Sequence, residues 1–312
     1  MPRPDTSIPS RSPADPIRLL EPLRLAVSAA TRPSTLAIGI CGGTVAGSLV
    51  GLALGLSFVR SPVAVAVIPA IALLLMILWP IALGAIAIIT GRSAEGRETG
   101  MNRALTDAVR KTPALVLAVL PVLISLGALV AIQIAIFTLT RAPEGSIGTT
   151  RPVVLIAIIF VALFLFDAIA FAAANVFLWV VVPHVALANL NAGLAFREAH
   201  SRFRECPGWC IASMVSVLTL SGTVTGTWVG LLIIALTAAS TTQVLGANEI
   251  VLLRFSEPLL QDSFAVPTGN LAAVIIMATG IGGTIGSAVG IGQIFGIAGG
   301  TGLMRTHGRS SR

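Results

Sequence analysis

Residues 39–55 read GICGGTVAGSLVGLALG, and Gly39, Gly43, Gly47, Gly51 and Gly55 recur at every fourth position. At 3.6 residues per turn, that spacing lays a nearly side-chain-free stripe along one face of a helix. The residues between the glycines are almost all apolar or small, and none is charged. Inside a bilayer such a stripe lets a second helix approach closely. The stretch therefore reads as a membrane-spanning helix that packs through its glycines.

Composition extends that reading to the whole chain. Of 312 residues, 55% are hydrophobic and 11% are charged, and the mean hydropathy is +0.94. Soluble domains carry about 25% charged residues, so the deficit points to a surface that faces lipid. Six apolar stretches, at 35–58, 62–90, 113–139, 152–182, 209–236 and 268–298, each exceed the roughly 20 residues that a spanning helix needs. The expected architecture is all-α and polytopic: a single six-helix transmembrane domain over 18–300. A disordered leader, 1–17, precedes it and a basic tail, 301–312, follows. The net charge of +7 lies almost wholly between the apolar stretches, which excludes a gathered nucleic-acid face.

The links set orientation. The leader, 91–112, 184–208 and the tail fall on one side and hold 16 of the 20 basic residues; Arg60, Arg141, Arg151 and Arg254 make up the rest. The positive-inside rule then places both termini in the cytoplasm, with a bacterial inner membrane as the expected location. Residues 18–31 read as a short amphipathic helix lying in the interface. The second half of 91–112 and much of 184–208 also read as helical, and a further short helix is expected at 248–255 in the long link 240–267. Pro62 suits the first turn of the second span. Pro80 is expected to kink that span, and Pro183 to end or bend the fourth.

Three segments share a rhythm: LRLAVSAATRPSTLAIGI, ALTDAVRKTPALVLAVL and AFREAHSRFRECPGWCIASMV. Each is a short basic helix, then a proline (Pro33, Pro113, Pro207), then two spanning runs. The unit suggests three pseudo-repeats of interfacial helix plus hairpin. This layout resembles bacterial multi-pass membrane families built from interfacial helices and hairpins, such as the membrane domain beside glycerophosphodiester phosphodiesterases. The resemblance covers most of 18–298 and carries no catalytic residue onto this chain.

Glycine stripes recur in the fifth span (Gly222, Gly226, Gly230) and the sixth (Gly282, Gly286, Gly290, then Gly292, Gly296, Gly300). The expectation is a close-packed first, fifth and sixth span surrounded by bulkier helices. One stripe could instead face a partner subunit or a second copy.

Chemistry-bearing residues are few. Asp167 falls near the middle of the fourth span, where an unpaired carboxylate is costly. It is expected to face the bundle as a proton or cation relay, or to hydrogen-bond Thr219, Thr223 or Thr225. Asn175, eight residues on, is within about a quarter-turn of the same face. Cys206 and Cys210, with Cys41 at similar depth, lack metal-knuckle spacing. His184, His200 and His307 offer no opposed pair for haem. No nucleophile, metal or phosphate-loop motif is found. No metal or cofactor is expected. The inner arginines are expected to meet anionic lipid heads.

The leading functional expectation is a non-enzymatic membrane scaffold or accessory component. The alternatives are a small-solute or ion transporter using Asp167, and a lipid-modifying membrane enzyme.

Overall fold

The computed structural model describes residues 16–57, 62–140, 153–205, 207–241 and 268–308. Nine helices are described: α1 (Pro16–Ala30), α2 (Pro33–Ser57), α3 (Pro62–Ala94), α4 (Met101–Arg110), α5 (Thr112–Thr140), α6 (Val153–Ala188), α7 (Ala192–Glu205), α8 (Pro207–Thr241) and α9 (Thr268–Gly308). The leader before Pro16, the short helix expected at 248–255, Cys206 and the second-side arginines Arg60, Arg141, Arg151 and Arg254 lie outside the described residues. The protein is all-α. Among the described residues, five helices are long and apolar enough to cross a membrane, or six if the bent pair α4–α5 is counted as one span.

Local chemistry explains the boundaries. Prolines at the first positions of α2, α3 and α8 have no N–H to leave unsatisfied and a backbone angle already suited to a helix. Helix α3 ends where Gly96 adopts φ +74°. Arg97 N then donates to Arg92 O and Gly96 N to Ser93 O, each at 2.9 Å, closing the last turn. Between α4 and α5 the axis bends by 75°. Pro113 cannot donate to the Val109 carbonyl, and the Thr112 hydroxyl does so instead at 2.7 Å. After α6, Asn189 takes φ 55°, and Asn191 Oδ1 accepts from Leu194 N at 2.9 Å, capping α7.

Two expected boundaries differ. Pro183 does not end α6, which continues to Ala188. The stretch expected as the start of a tail is the last part of α9, which runs to Gly308 with Thr301, Gly302 and Leu303 buried. Arg305 fixes that end by donating to Gly91 O at 3.2 Å and meeting Glu95 at 3.6 Å.

Helix α9 is the axle of the bundle, packing against α1, α2, α3, α6 and α8. Its contact with α2 is antiparallel and almost without side chains. A Cβ on Gly43 would collide with the Gly286 carbonyl, on Gly47 with Gly282, and on Gly51 with Ala278. Reciprocally, a Cβ on Gly282, Gly286 or Gly290 would collide with the carbonyl of Gly47, Gly43 or Gly39. Gly39 and Gly55 close the two ends against Ile294 and Ile275.

The grouping of the first, fifth and sixth spans by glycine stripes needs correction at α8. Gly222, Gly226 and Gly230 have no atom of the described residues within 4 Å of where a Cβ would stand. Helix α8 meets α9 on another face, where Ser221 Oγ donates to Gly292 O at 3.0 Å and Thr225 Oγ1 to Ala288 O at 3.3 Å. Here α9 supplies the hollow, at Gly292 and Gly299, and α8 supplies the side chains, Ser221 and Val217.

The densest core lies where the short helices pack, around Leu83–Ile89, Leu115–Val119, Leu178–Val182 and Ile294–Ala298. Away from it, large apolar side chains turn outward, including Ile276 (72% exposed), Ile169 (68%) and Leu73 (62%). That pattern fits a lipid-facing surface rather than a watery one.

Gly47→Leu should cost about 3 kcal/mol or more, because α2 and α9 must part. Leu52→Ala, on a half-buried position, should cost under about 1 kcal/mol. Unfolding in mild detergent measures both, and equal mild losses would refute the interlock.

Candidate functional site

The main buried polar cluster described joins α6 to α9. Trp179 Nε1 donates to Gln293 Oε1 at 2.7 Å, and Gln293 Nε2 donates to Asn175 Oδ1. Asn175 Nδ2 donates back to Phe171 O at 2.8 Å. Asn175, Trp179 and Gln293 are all at most 6% exposed. The fourth and eighth positions after Phe171 fall on one face of α6, which brings Asn175 and Trp179 to the same stretch of α9. Trp179 fits only because Gly296 and Gly300 lack side chains: a Cβ on Gly296 would strike the indole ring, and one on Gly300 the Trp179 carbonyl. That carbonyl has no helical donor, since the residue four on is Pro183. One turn further, His184 Nδ1 lies 2.7 Å from Val180 O.

This cluster binds helices to each other. Each of its donors and acceptors named here faces another protein group, so Asn175 is closed over by Gln293 rather than open to a path. Asp167 lies in α6, two turns before Asn175, and its side chain is outside the described residues. The hydroxyls expected to meet it donate elsewhere: Thr219 to Val215 O and Thr223 to Thr219 O, each at 2.8 Å, and Thr225 to α9. The sequence reading passed over Gln293 and Trp179. The signal for Gln293 was a lone amide within GIGQIFG, among glycines that admit a neighbour.

A second polar cluster ties the ends of α3, α4, α6 and α9. Arg92 pairs with Asp107 at 2.7 Å. Arg305 reaches Gly91 O and Glu95, and Lys111 Nζ donates to Ala186 O near the end of α6. Burial pushes the Lys111 ammonium below its usual value of 10.5; the nearby Asp107 opposes that shift and Arg92 adds to it. Cys41 is exposed and Cys210 buried. Among the described residues no group of three His, Cys, Asp or Glu could hold a metal ion.

An open groove of about 350 Å³ lies between α5 and α6, lined by Pro121, Val122 and Ser125 on one side and by Ala170, Ala173 and Phe177 on the other. The Phe177 ring meets Phe196 of α7, with centroids 4.6 Å apart.

No family model, no curated protein and no solved structure matches the chain.

Gln293→Leu should cost about 1–2 kcal/mol, because Trp179 Nε1 and Asn175 Oδ1 are left buried without their partner. Adding Asn175→Leu should then cost little more, since the two side chains act as one unit. Fully additive losses would show that no clasp exists. Lys111 gives a pH signature. Its folded pKa is depressed, so the unfolded chain binds more protons as pH climbs towards 10.5, and its contribution to stability rises over that window. The melting temperature of the wild type should therefore rise relative to Lys111→Met as alkalinity increases up to that value. A constant difference would remove Lys111 from the argument.

Proposed function

We infer that this chain is a non-enzymatic integral membrane scaffold or accessory component. The observation that carries the reading is how its interior is used. Glycines bring α2 and α9 backbone to backbone, and the amides of Asn175 and Gln293 are closed on each other and on Trp179. Both devices hold helices in place. The same closure weighs against a transport path along α6 through Asn175.

A scaffold needs a face to offer. Helix α8 carries Gly222, Gly226 and Gly230 on a side that no neighbouring helix approaches among the described residues, with exposed Thr219, Thr223 and Thr227 near them. Small residues of this kind let a second spanning helix approach closely. The same chain already uses glycines that way between α2 and α9. A membrane-protein partner or a second copy of the chain is the expected occupant. The inner membrane of a bacterium, with both termini in the cytoplasm, remains the proposed setting, supported by the clustering of basic residues in the links.

Gly226→Leu should leave stability within about 0.5 kcal/mol of the wild type, since nothing described lies against it. It should sharply reduce whatever co-purifies after gentle solubilisation. Unchanged co-purification would remove α8 as the docking face, and a destabilised monomer would mean that α8 is covered within the chain.

A further inference from the structure

The groove between α5 and α6 and the charge pattern of α7 meet at one place. Helix α7 packs on both α5 and α6, and Phe196 of α7 sits against Phe177 at the end of the groove. Around the axis of α7, His200 lies about 40° from Phe196, Arg204 about 80° and Arg197 about 100°. Glu205 and Glu198 lie about 180° and 200° away, on the far flank. All five of these polar side chains are exposed. Among the described side chains of α7, the polar residues nearest in angle to Phe196 are therefore basic, and the acidic ones lie on the opposite flank.

The groove itself is narrow and greasy. Its α6 wall spans Ala170 to Phe177, about 10 Å of helix axis. Its largely apolar lining and volume of about 350 Å³ suit one extended hydrocarbon chain.

We propose that the α5–α6 groove and the basic flank of α7 together hold one anionic phospholipid. An acyl chain lies along Val122, Ser125, Ala170 and Ala173, and the phosphate head meets Arg197, His200 and Arg204. Selection over neighbouring lipid comes from the head group, because lipid tails are as apolar as the groove. The inference rests on the membrane-embedded fold and not on the scaffold reading, which the capture experiment at Gly226 tests separately.

The test uses the full-length protein, taken from vesicles of equal phosphatidylglycerol and phosphatidylcholine into mild detergent and analysed by native mass spectrometry. Phosphatidylglycerol should be retained in preference to phosphatidylcholine. Arg197→Gln and Arg204→Gln should each lower that retention about five-fold, while Arg103→Gln, at an exposed position of α4, should not. Ala173→Phe, which fills the groove from an exposed position, should reduce retention of both lipids. Ala170→Leu should do so more weakly, and it keeps the test informative if the larger side chain disturbs folding. Equal retention of the two lipids, or undiminished phosphatidylglycerol in both groove variants, would overturn the proposal. So would a second copy of the chain that Ala173→Phe releases in place of lipid.

Discussion

A helix can take in the backbone or side chains of several close neighbours only where it carries no side chain of its own, and α9 is built to that constraint. Gly282, Gly286 and Gly290 meet α2, Gly292 and Gly299 meet α8, Gly296 and Gly300 meet α6, and Gly302 meets Pro22 of α1. In water so many glycines would cost helix stability, about 1 kcal/mol each relative to alanine. In lipid the backbone has no competing donor or acceptor, so the helix holds despite its composition. What it gains is contact. Glycine loses no side-chain freedom on packing, and each close approach adds dispersion over the length of two helices.

The polar clasp follows from the same hollows. Trp179 occupies the space that Gly296 leaves vacant, and this brings its indole N–H within reach of Gln293 on the same helix. Pro183 then has a second consequence. By removing an N–H from α6 it leaves the Trp179 carbonyl without its helical donor, and Gly300 presses its Cα against that oxygen. A Cα–H contact of this kind is weak, yet it suits a carbonyl that water cannot reach. A small void, a bulky ring and a missing N–H thus make one crossing specific.

How much of this was legible varied by residue. The α2 stripe could be read because both partners show it, Gly39 to Gly55 on one helix and Gly282 to Gly290 on the other, at the same period. The α8 stripe could not be read the same way. Spacing tells which face is bare, and says nothing about whether a neighbour fills it. The packing face of α8 is marked instead by Ser221 and Thr225, four apart, whose hydroxyls find α9 carbonyls. Asp167 drew attention because a charge in mid-span is costly, while Gln293, neutral and set among glycines, proved to be the residue that joins two helices. Pro183 could be read as ending or bending the span; it does not end it, because proline removes only one hydrogen bond and the packing of Val180–Ala186 in the core holds α6 together beyond it.

The basic residues of the links gather meaning from the packing as well. At the end where α1, α4 and α7 lie, α3, α6 and α9 present their C-termini, with unpaired carbonyls and a partial negative charge. Arg305 answers at Gly91 O and Lys111 at Ala186 O. At the same end α2 and α8 begin on proline, and α5 has Pro113 at its second position, so fewer backbone N–H groups are left to satisfy. Acceptors there are capped by cations and donors are removed by prolines. Two of the basic residues in the links and tail, Lys111 and Arg305, are thus groups that finish its helices. A charge reversal at Lys111 or Arg305 would disturb that packing, because it would remove positive charge placed where helices end.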